Sequence, residues 1–306
     1  MSFAVIEKER CQNGNYFTRK VYNKSHGKLV YEHYQRELQA FKQLRIASMK
    51  DSIENHIIYL LDHDETPNAY RLKFPYYSQN LESFIYTHES DVELAKKFLL
   101  QIAQGLHYIH QHNIVHCDLS PSNILIQSES CIMISDFGCA QAVSDTSMIS
   151  SNRKRRQDFV FGTRWYKAPE HLFGSTVFAP ATDIWSLGAI FVQLLIGYPI
   201  FVGQTDIEQI GQITFRIGKA SVETQIEEMV NYPDFDKLNF FFTEDDIDGE
   251  EEFDLTDEEL QARKPLDEIF AAENVPEVLQ LISKKMLTWS VRNRLSAKHI
   301  IALLTE

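Results

Sequence analysis

His116-Cys117-Asp118-Leu119-Ser120-Pro121-Ser122-Asn123, a short apolar stretch, and then Asp136-Phe137-Gly138 decide how this chain is read. An Asp, an Asn five residues on and a second Asp eighteen residues on are the groups that phosphoryl transfer uses. One carboxylate can orient and deprotonate a hydroxyl. An amide and a second carboxylate can hold Mg²⁺ against nucleotide phosphates. Between them, Ile124-Leu125-Ile126 and Cys131-Ile132-Met133-Ile134-Ser135 read as two short strands joined by a polar turn at 127–130. A hairpin there brings Asn123 and Asp136 to one end, as a shared metal ion requires.

The pattern continues downstream. Ala168-Pro169-Glu170 follows Asp136 by 32 residues, and Asp183-Ile184-Trp185-Ser186-Leu187-Gly188 comes next. Asp-Phe-Gly alone is a weak signal; four motifs in this order at these spacings are specific. Over nearly its whole length the chain resembles the eukaryotic protein kinases, and within them the cyclin-dependent kinase (CDK)-like group. The resemblance implies a two-lobed α+β fold with one kinase domain. A small antiparallel β-sheet lobe would span residues 1–76. A large, mainly helical lobe would span 77–306, with an acidic insertion at about 231–265. ATP and Mg²⁺ would lie between the lobes, with Asp118 as base and Asn123 and Asp136 as Mg²⁺ ligands.

The bulk numbers agree with an ordinary globular protein. The 306 residues can bury a sizeable core, and 44% apolar and 24% charged residues are unremarkable. The net charge of −13 is concentrated: Glu244 to Glu259 holds eleven acidic residues and no basic one. Nucleic acid and anionic membranes are therefore not expected partners. Four cysteines, Cys11, Cys117, Cys131 and Cys139, form no Cys-x-x-Cys pair and read as reduced thiols of an intracellular protein. The start is too short and too charged for a signal peptide, and no apolar run approaches the ~18 residues a bilayer span needs.

In the small lobe, Ala4–Cys11 and Tyr16–Tyr22 read as strands around a Gln12-Asn13-Gly14-Asn15 turn. By itself Lys20 is equally a solvated strand lysine. The resemblance makes it the lysine that pairs with the α/β-phosphates. Tyr31–Leu44 carries a helical apolar stripe at 34, 38, 41 and 44. Glu37 on it fits the glutamate that clamps that lysine. Before the hairpin, Ser2-Phe3-Ala4-x-Ile6 resembles only the tail of the family's glycine-rich phosphate loop. The expectation is either a truncated N-terminus or a kinase working without a full first strand and phosphate lid. Ile57–Asp62 and Tyr70–Phe74 read as the next strands. Phe74-Pro75-Tyr76-Tyr77 then matches the hinge whose backbone reads adenine, with Phe74 at the back of the pocket. The resemblance adds Asn80, near the ribose, and Leu125 to the nucleotide site. Plain core packing is the alternative for these aromatics.

In the large lobe, Val92–His112 and Ile184–Leu195 read as helices, and Pro276–Leu304 has helical apolar spacing. The family's His116 is structural, beside Phe41, Leu60 and Phe137. Asp183 would brace the catalytic loop, and Glu170 would pair with Arg294. Two catalytic-loop residues depart from the family. Cys117 stands where an arginine usually receives a loop phosphate, which implies activity without loop phosphorylation. Ser120 stands where a lysine usually neutralises the transferring phosphoryl. Gly162-Thr163 resembles the Ser/Thr kinases, in which Thr163 would bond the catalytic Asp. Lys167 replaces an arginine tied to proline-directed specificity, so Ser/Thr-Pro targets are not required. The run Arg153-Lys154-Arg155-Arg156 is a solvated loop, a docking site for acidic segments, or a nuclear import signal.

Together these features resemble the fungal single-subunit CDK-activating kinases. They imply a nuclear or cytoplasmic enzyme of cell-cycle control, active as a monomer without cyclin, whose protein substrate is the activation-loop threonine of a CDK. A cyclin-dependent relative and a weakly catalytic pseudokinase scaffold are the alternatives.

Overall fold

The fold was analysed in a computed structural model that describes residues 4–12, 14–144, 162–240 and 264–305, with the side chains of 238–240 excepted. β1 (Val5–Arg10) and β2 (Tyr16–Asn23) pair antiparallel, Val5 opposite Val21 and Arg10 opposite Tyr16. Gly14 makes their turn possible at φ 89°, a conformation open to glycine. Asn13 of the same turn lies outside the described residues.

Helix α1 (Lys28–Leu44) starts three residues before the expected Tyr31, directly after Gly27, which at φ 76° ends the short 3₁₀ turn Lys24–His26. Its buried residues Val30, Tyr34, Leu38, Phe41 and Leu44 recur every three to four positions, so one face meets the sheet and the cleft. A short helix, α2 (Met49–Glu54), follows, capped by the Ser48 hydroxyl.

β3 (Asp62–Glu65) and β4 (Ala69–Pro75) complete an antiparallel sheet of order β1-β2-β4-β3. The expected strand at Ile57–Asp62 is corrected here: only Asp62 belongs to it. Ile57 and Ile58 are buried, and the backbone groups beside them bond across the lobes. The Ile58 N–H donates to the Ile134 carbonyl at 3.0 Å, and the Ile134 N–H to the His56 carbonyl at 2.8 Å. The apolar pair is used as floor between the lobes. The strand itself is the polar edge that follows, where Asp64 accepts from Arg19 and Arg71.

The second part of the chain is mainly helical. β5 (Gln79–Asn80), α3 (Leu81–Thr87) and α4 (Val92–Gln111) lead to β6 (Ile114–Val115). β7 (Ile124–Ser128) and β8 (Cys131–Ile134) form the expected hairpin with Ile124 opposite Ile134. β9 (Gln141–Ala142) pairs with β6. Then come α5 (Pro169–Leu172), α6 (Pro180–Ile196), α7 (Asp206–Ile217), α8 (Val222–Glu227), α9 (Leu266–Ala272), α10 (Glu277–Met286) and α11 (Ala297–Thr305). The expected helical tail is thus two helices with a turn at 287–296. α6 is buried from Thr182 to Ile196 and is the axis of this lobe. One continuous core runs from Tyr22 and Phe41 through Phe137 to α6 and Ile300.

The early part of the acidic insertion is packed. The Asp234 N–H donates to the Phe173 carbonyl at 2.9 Å and Lys237 Nζ to the Leu172 carbonyl at 2.9 Å. Glu244 to Glu259, the run Arg153-Lys154-Arg155-Arg156, and Ser2-Phe3 lie outside the described residues. Among the described residues no helix is long and apolar enough to cross a membrane, and the four cysteines are free.

Candidate active site

The β7–β8 hairpin places the metal-ligand candidates. Ile124 opposite Ile134 puts Asn123 beside Ser135, whose N–H and hydroxyl both donate to the Asn123 carbonyl at 2.9 Å. Asp136 is the next residue. It adopts φ 64° and caps the short 3₁₀ turn Phe137–Cys139 by accepting the Gly138 N–H at 3.2 Å. Asn123 Nδ2 donates to the Asp118 carbonyl at 2.8 Å. Asp118, Asn123 and Asp136 are therefore tied together through backbone.

Asp118 sits in a loop held from below. Cys117 has φ 65°, an unfavourable conformation for a side chain-bearing residue. Asp183 on α6 fixes it, accepting the Cys117 N–H at 3.0 Å and the His116 N–H at 2.9 Å, while His110 bonds the same carboxylate at 2.8 Å. His116 Nε2 donates to the Ser135 carbonyl at 2.9 Å, and Nδ1 accepts the Asp118 N–H at 3.3 Å. His116 is thereby a strut, with ring contacts to Phe137, which in turn meets Phe41. Leu60 packs against the same core.

The Asp118 carboxylate accepts twice from Thr163, from N–H at 2.9 Å and Oγ1 at 3.3 Å, both on Oδ1. Cys139 Sγ approaches Oδ2 at 3.9 Å. Burial, with the Asp136 charge added, pushes the Asp118 carboxyl above its usual range against the Thr163 donors. A raised carboxyl is a better proton acceptor.

Lys20 on β2 bridges the lobes: its Nζ lies 2.8 Å from Glu37 Oε2 and 2.8 Å from Asp136 Oδ1. Burial alone would raise the Asp136 carboxyl, but the Lys20 ammonium holds it below its usual range. For Glu37 the balance is reversed, and burial leaves the carboxyl raised. Glu37 also accepts the Tyr22 hydroxyl at 2.5 Å and the Phe137 N–H at 3.3 Å. Tyr22 was not singled out by the sequence reading. The available signal was its position two residues after Lys20, on the same strand face.

The nucleotide-pocket candidates are less uniform. Phe74 is buried against Phe41, centroids 5.6 Å apart. Leu125 is half-buried on β7 opposite Asn80. The Tyr77 hydroxyl is buried without a hydrogen-bond partner among the described residues, and burial pushes it up to about 12. Asn80 caps α3: its Oδ1 accepts the Ser83 N–H at 2.9 Å and its Nδ2 reaches the Ser122 carbonyl at 3.5 Å. A ribose contact through this amide would compete with the cap.

The donor set suits Mg²⁺. Asn123 Oδ1 and Asp136 Oδ2 are hard oxygens without a hydrogen bond among the described residues. No third acidic, His or Cys ligand joins them there. That fits an ion that takes its remaining ligands from phosphate and water. The departures from the family have local explanations too. Ser120 is buried and its hydroxyl meets Ser122 Oγ at 2.9 Å. Cys117 packs on an apolar cluster of Val115, Cys139 and Phe178. Burial pushes both thiols up, leaving them neutral.

From Asp118 and Thr163 a groove of about 600 Å³ opens between Arg164–Ala168, Gln204–Ile207 and Lys237. Arg164 in its wall is fixed on Asp206 at 3.1 Å and the Gln204 carbonyl at 2.7 Å.

Comparison with known proteins agrees with this geometry. Residues 2–303 match the protein kinase domain family. The chain is 30% identical over 193 residues to cyclin-dependent kinase-like 2 of Rattus norvegicus, covering 62% of this chain and 35% of that protein. The human protein of the same name is 29% identical over 193 residues, 62% of this chain and 36% of that one. The alignments thus span about a third of these curated relatives. With a match over nearly its whole length, the chain belongs to the protein kinase family, and its similarity within that family is to CDK-like kinases.

Proposed function

We propose that this chain transfers the ATP γ-phosphate to the hydroxyl of a protein serine or threonine. The observation that carries the reading is Asp118. Its carboxylate is oriented by both donors of Thr163 and lines a groove of about 600 Å³. Asp118 would accept the proton of the acceptor hydroxyl as the oxygen attacks. Lys20 would hold the α/β-phosphates, and Glu37 would hold Lys20. Asn123 and Asp136 would hold Mg²⁺, which when bound neutralises charge on the phosphates. The Tyr77 side chain is spent on packing, so its backbone groups would read adenine, between Phe74 and Leu125. Thr163 beside the base supports a Ser/Thr preference.

Within that reading we infer a CDK-activating kinase: its substrate would be a CDK activation-loop threonine, and it would act without cyclin in the nucleus or cytoplasm. The support is the joint departure at Cys117, Ser120 and Lys167. Where a phosphate-receiving arginine would stand, Cys117 rests on apolar neighbours. The test is a radiolabel transfer assay with bacterially expressed protein and Asp118→Asn, using a monomeric CDK and myelin basic protein. Labelling of the CDK threonine by wild type alone supports the full reading. Labelling of the generic protein only removes the CDK-activating role. Labelling by neither form removes catalysis by the isolated chain.

A further inference from the structure

We propose that Tyr22 is a positioning residue that holds Glu37, and through it Lys20, so that α1 is fixed in its working place by the chain itself. This rests on the kinase reading of the Lys20 site.

Tyr22 is 1% exposed, and its ring edge packs on Tyr34 of α1 at 5.9 Å between centroids. Its hydroxyl donates to the same Glu37 oxygen that receives Lys20. The other Glu37 oxygen takes the Phe137 N–H. One carboxylate on α1 is thus gripped by two side chains of β2 and by the Asp-Phe-Gly segment. The lysine cannot do this alone, because it is shared with Asp136 at the same 2.8 Å. Bound phosphates would divide it further. A phenol carries no charge to be drawn away, so its bond to Glu37 persists while Lys20 turns to phosphate. Hydrogen bonds to a buried charged acceptor are among the stronger ones.

The hydroxyl also sits at the junction of the three elements. A Cβ added at Gly138 would lie 3.3 Å from the Tyr22 hydroxyl, 3.2 Å from Asp136 Oδ1 and 3.5 Å from His33 Nδ1. His33, one turn before Glu37 on α1, is bonded to the Gly138 backbone. At its far end α1 is held by the Tyr108 hydroxyl on the Leu44 carbonyl at 2.7 Å. Helix, strand and Asp-Phe-Gly turn are therefore locked by internal bonds, which is the arrangement an enzyme without an activating subunit needs.

The test is Tyr22→Phe, which keeps the ring and removes the hydroxyl, read in two ways. Amide hydrogen exchange on the nucleotide-free protein is expected to rise about tenfold in residues 33–41, with α6 unchanged. The kcat for phosphate transfer is expected to fall about tenfold, with KM for ATP changed under threefold. In a Glu37→Gln background the same substitution is expected to change kcat by less than about twofold, since coupled residues are not additive. Tyr108→Phe, which removes the α4 hydroxyl that bonds the Leu44 carbonyl at the end of α1 away from Glu37, is the control and keeps kcat within about twofold. Unchanged exchange in α1, or an equal rise in α1 and α6, overturns the proposal, as does an equal loss of kcat in both Glu37 backgrounds. If wild type transfers no phosphate, the kinase reading fails, and the exchange measurement still decides the role of Tyr22.

Discussion

Glu37 and Glu170 are the same side chain, both buried and both paired with a cation, yet their carboxyls are displaced in opposite directions. Glu170 takes two parallel bonds from Arg294, at 2.8 and 2.7 Å, and a third from the Thr182 hydroxyl at 3.2 Å. Arg294 spends its remaining donors on the Thr288, Ala181 and Trp289 carbonyls. Burial would raise Glu170, but the closed pair outweighs it and holds the carboxyl below its usual range. Glu37 has a lysine divided between two carboxylates, and burial wins. A planar guanidinium with every donor used makes a fixed joint. A lysine left with shared donors is a joint kept open for a third anion. The first stabilises the large lobe; the second is suited to work in the cleft.

Lys20→Met gives the largest break in that comparison. Transfer is expected to fall on the order of 10²–10³-fold. The melting temperature should fall less than in Arg294→Met, because Glu37 can take a proton and keep its bonds to Tyr22 and Phe137. Parallel kinetics and thermal unfolding check this; a larger melting loss than Arg294→Met contradicts it.

Arg294→Met should behave in reverse. Removing it strands a buried carboxylate, at a cost of about 3–5 kcal/mol in urea unfolding. The kcat per folded molecule should stay within a few-fold. A cost below about 1 kcal/mol would mean the pair is replaceable by packing.

Thr163→Val sharpens the view of Asp118. It deletes the 3.3 Å hydroxyl bond to Asp118 and leaves the 2.9 Å backbone bond. A loss of kcat of about tenfold or less is expected, with stability unchanged. A loss as large as that of Asp118→Asn would give Thr163 a role beyond orientation.

The smallest effect is in pH. The folded Glu170 carboxyl lies below its ordinary 4.5, so it contributes stability above that pH. That contribution is lost as pH falls through the lower folded value. The urea midpoint gap between wild type and Glu170→Gln should be flat near neutrality and narrow below about pH 4.5. A gap independent of pH would remove the charge argument.

Much of the site was legible because its parts are close in sequence. Asp118, Asn123 and Asp136 are joined by one hairpin, and two short apolar runs around a polar turn specify a hairpin locally. The Lys20–Glu37 pair was legible only through resemblance, since spacing alone left Lys20 a possible surface lysine. Ile57–Asp62 was misread because an apolar run looks alike whether it pairs in a sheet or floors a cleft. Asn80 was placed near the ribose by resemblance; its role as the cap of α3 was missed, and Ser83 three residues on was the capping signal.

Sequence was enough for the order of most elements, for the nearness of Asp118, Asn123 and Asp136 around one hairpin, and for the apolar stripes of α1 and α4. These rest on periodicity and on contacts between near neighbours, which side-chain pattern encodes directly. Only the tertiary structure decided which oxygen of Glu37 meets Tyr22 and Lys20, why the Glu37 and Glu170 carboxyls shift in opposite directions, and what Cys117 rests on. Each of these depends on groups far apart in the chain brought within a few ångströms. Their net effect is a difference between burial and pairing that no single residue's chemistry reveals.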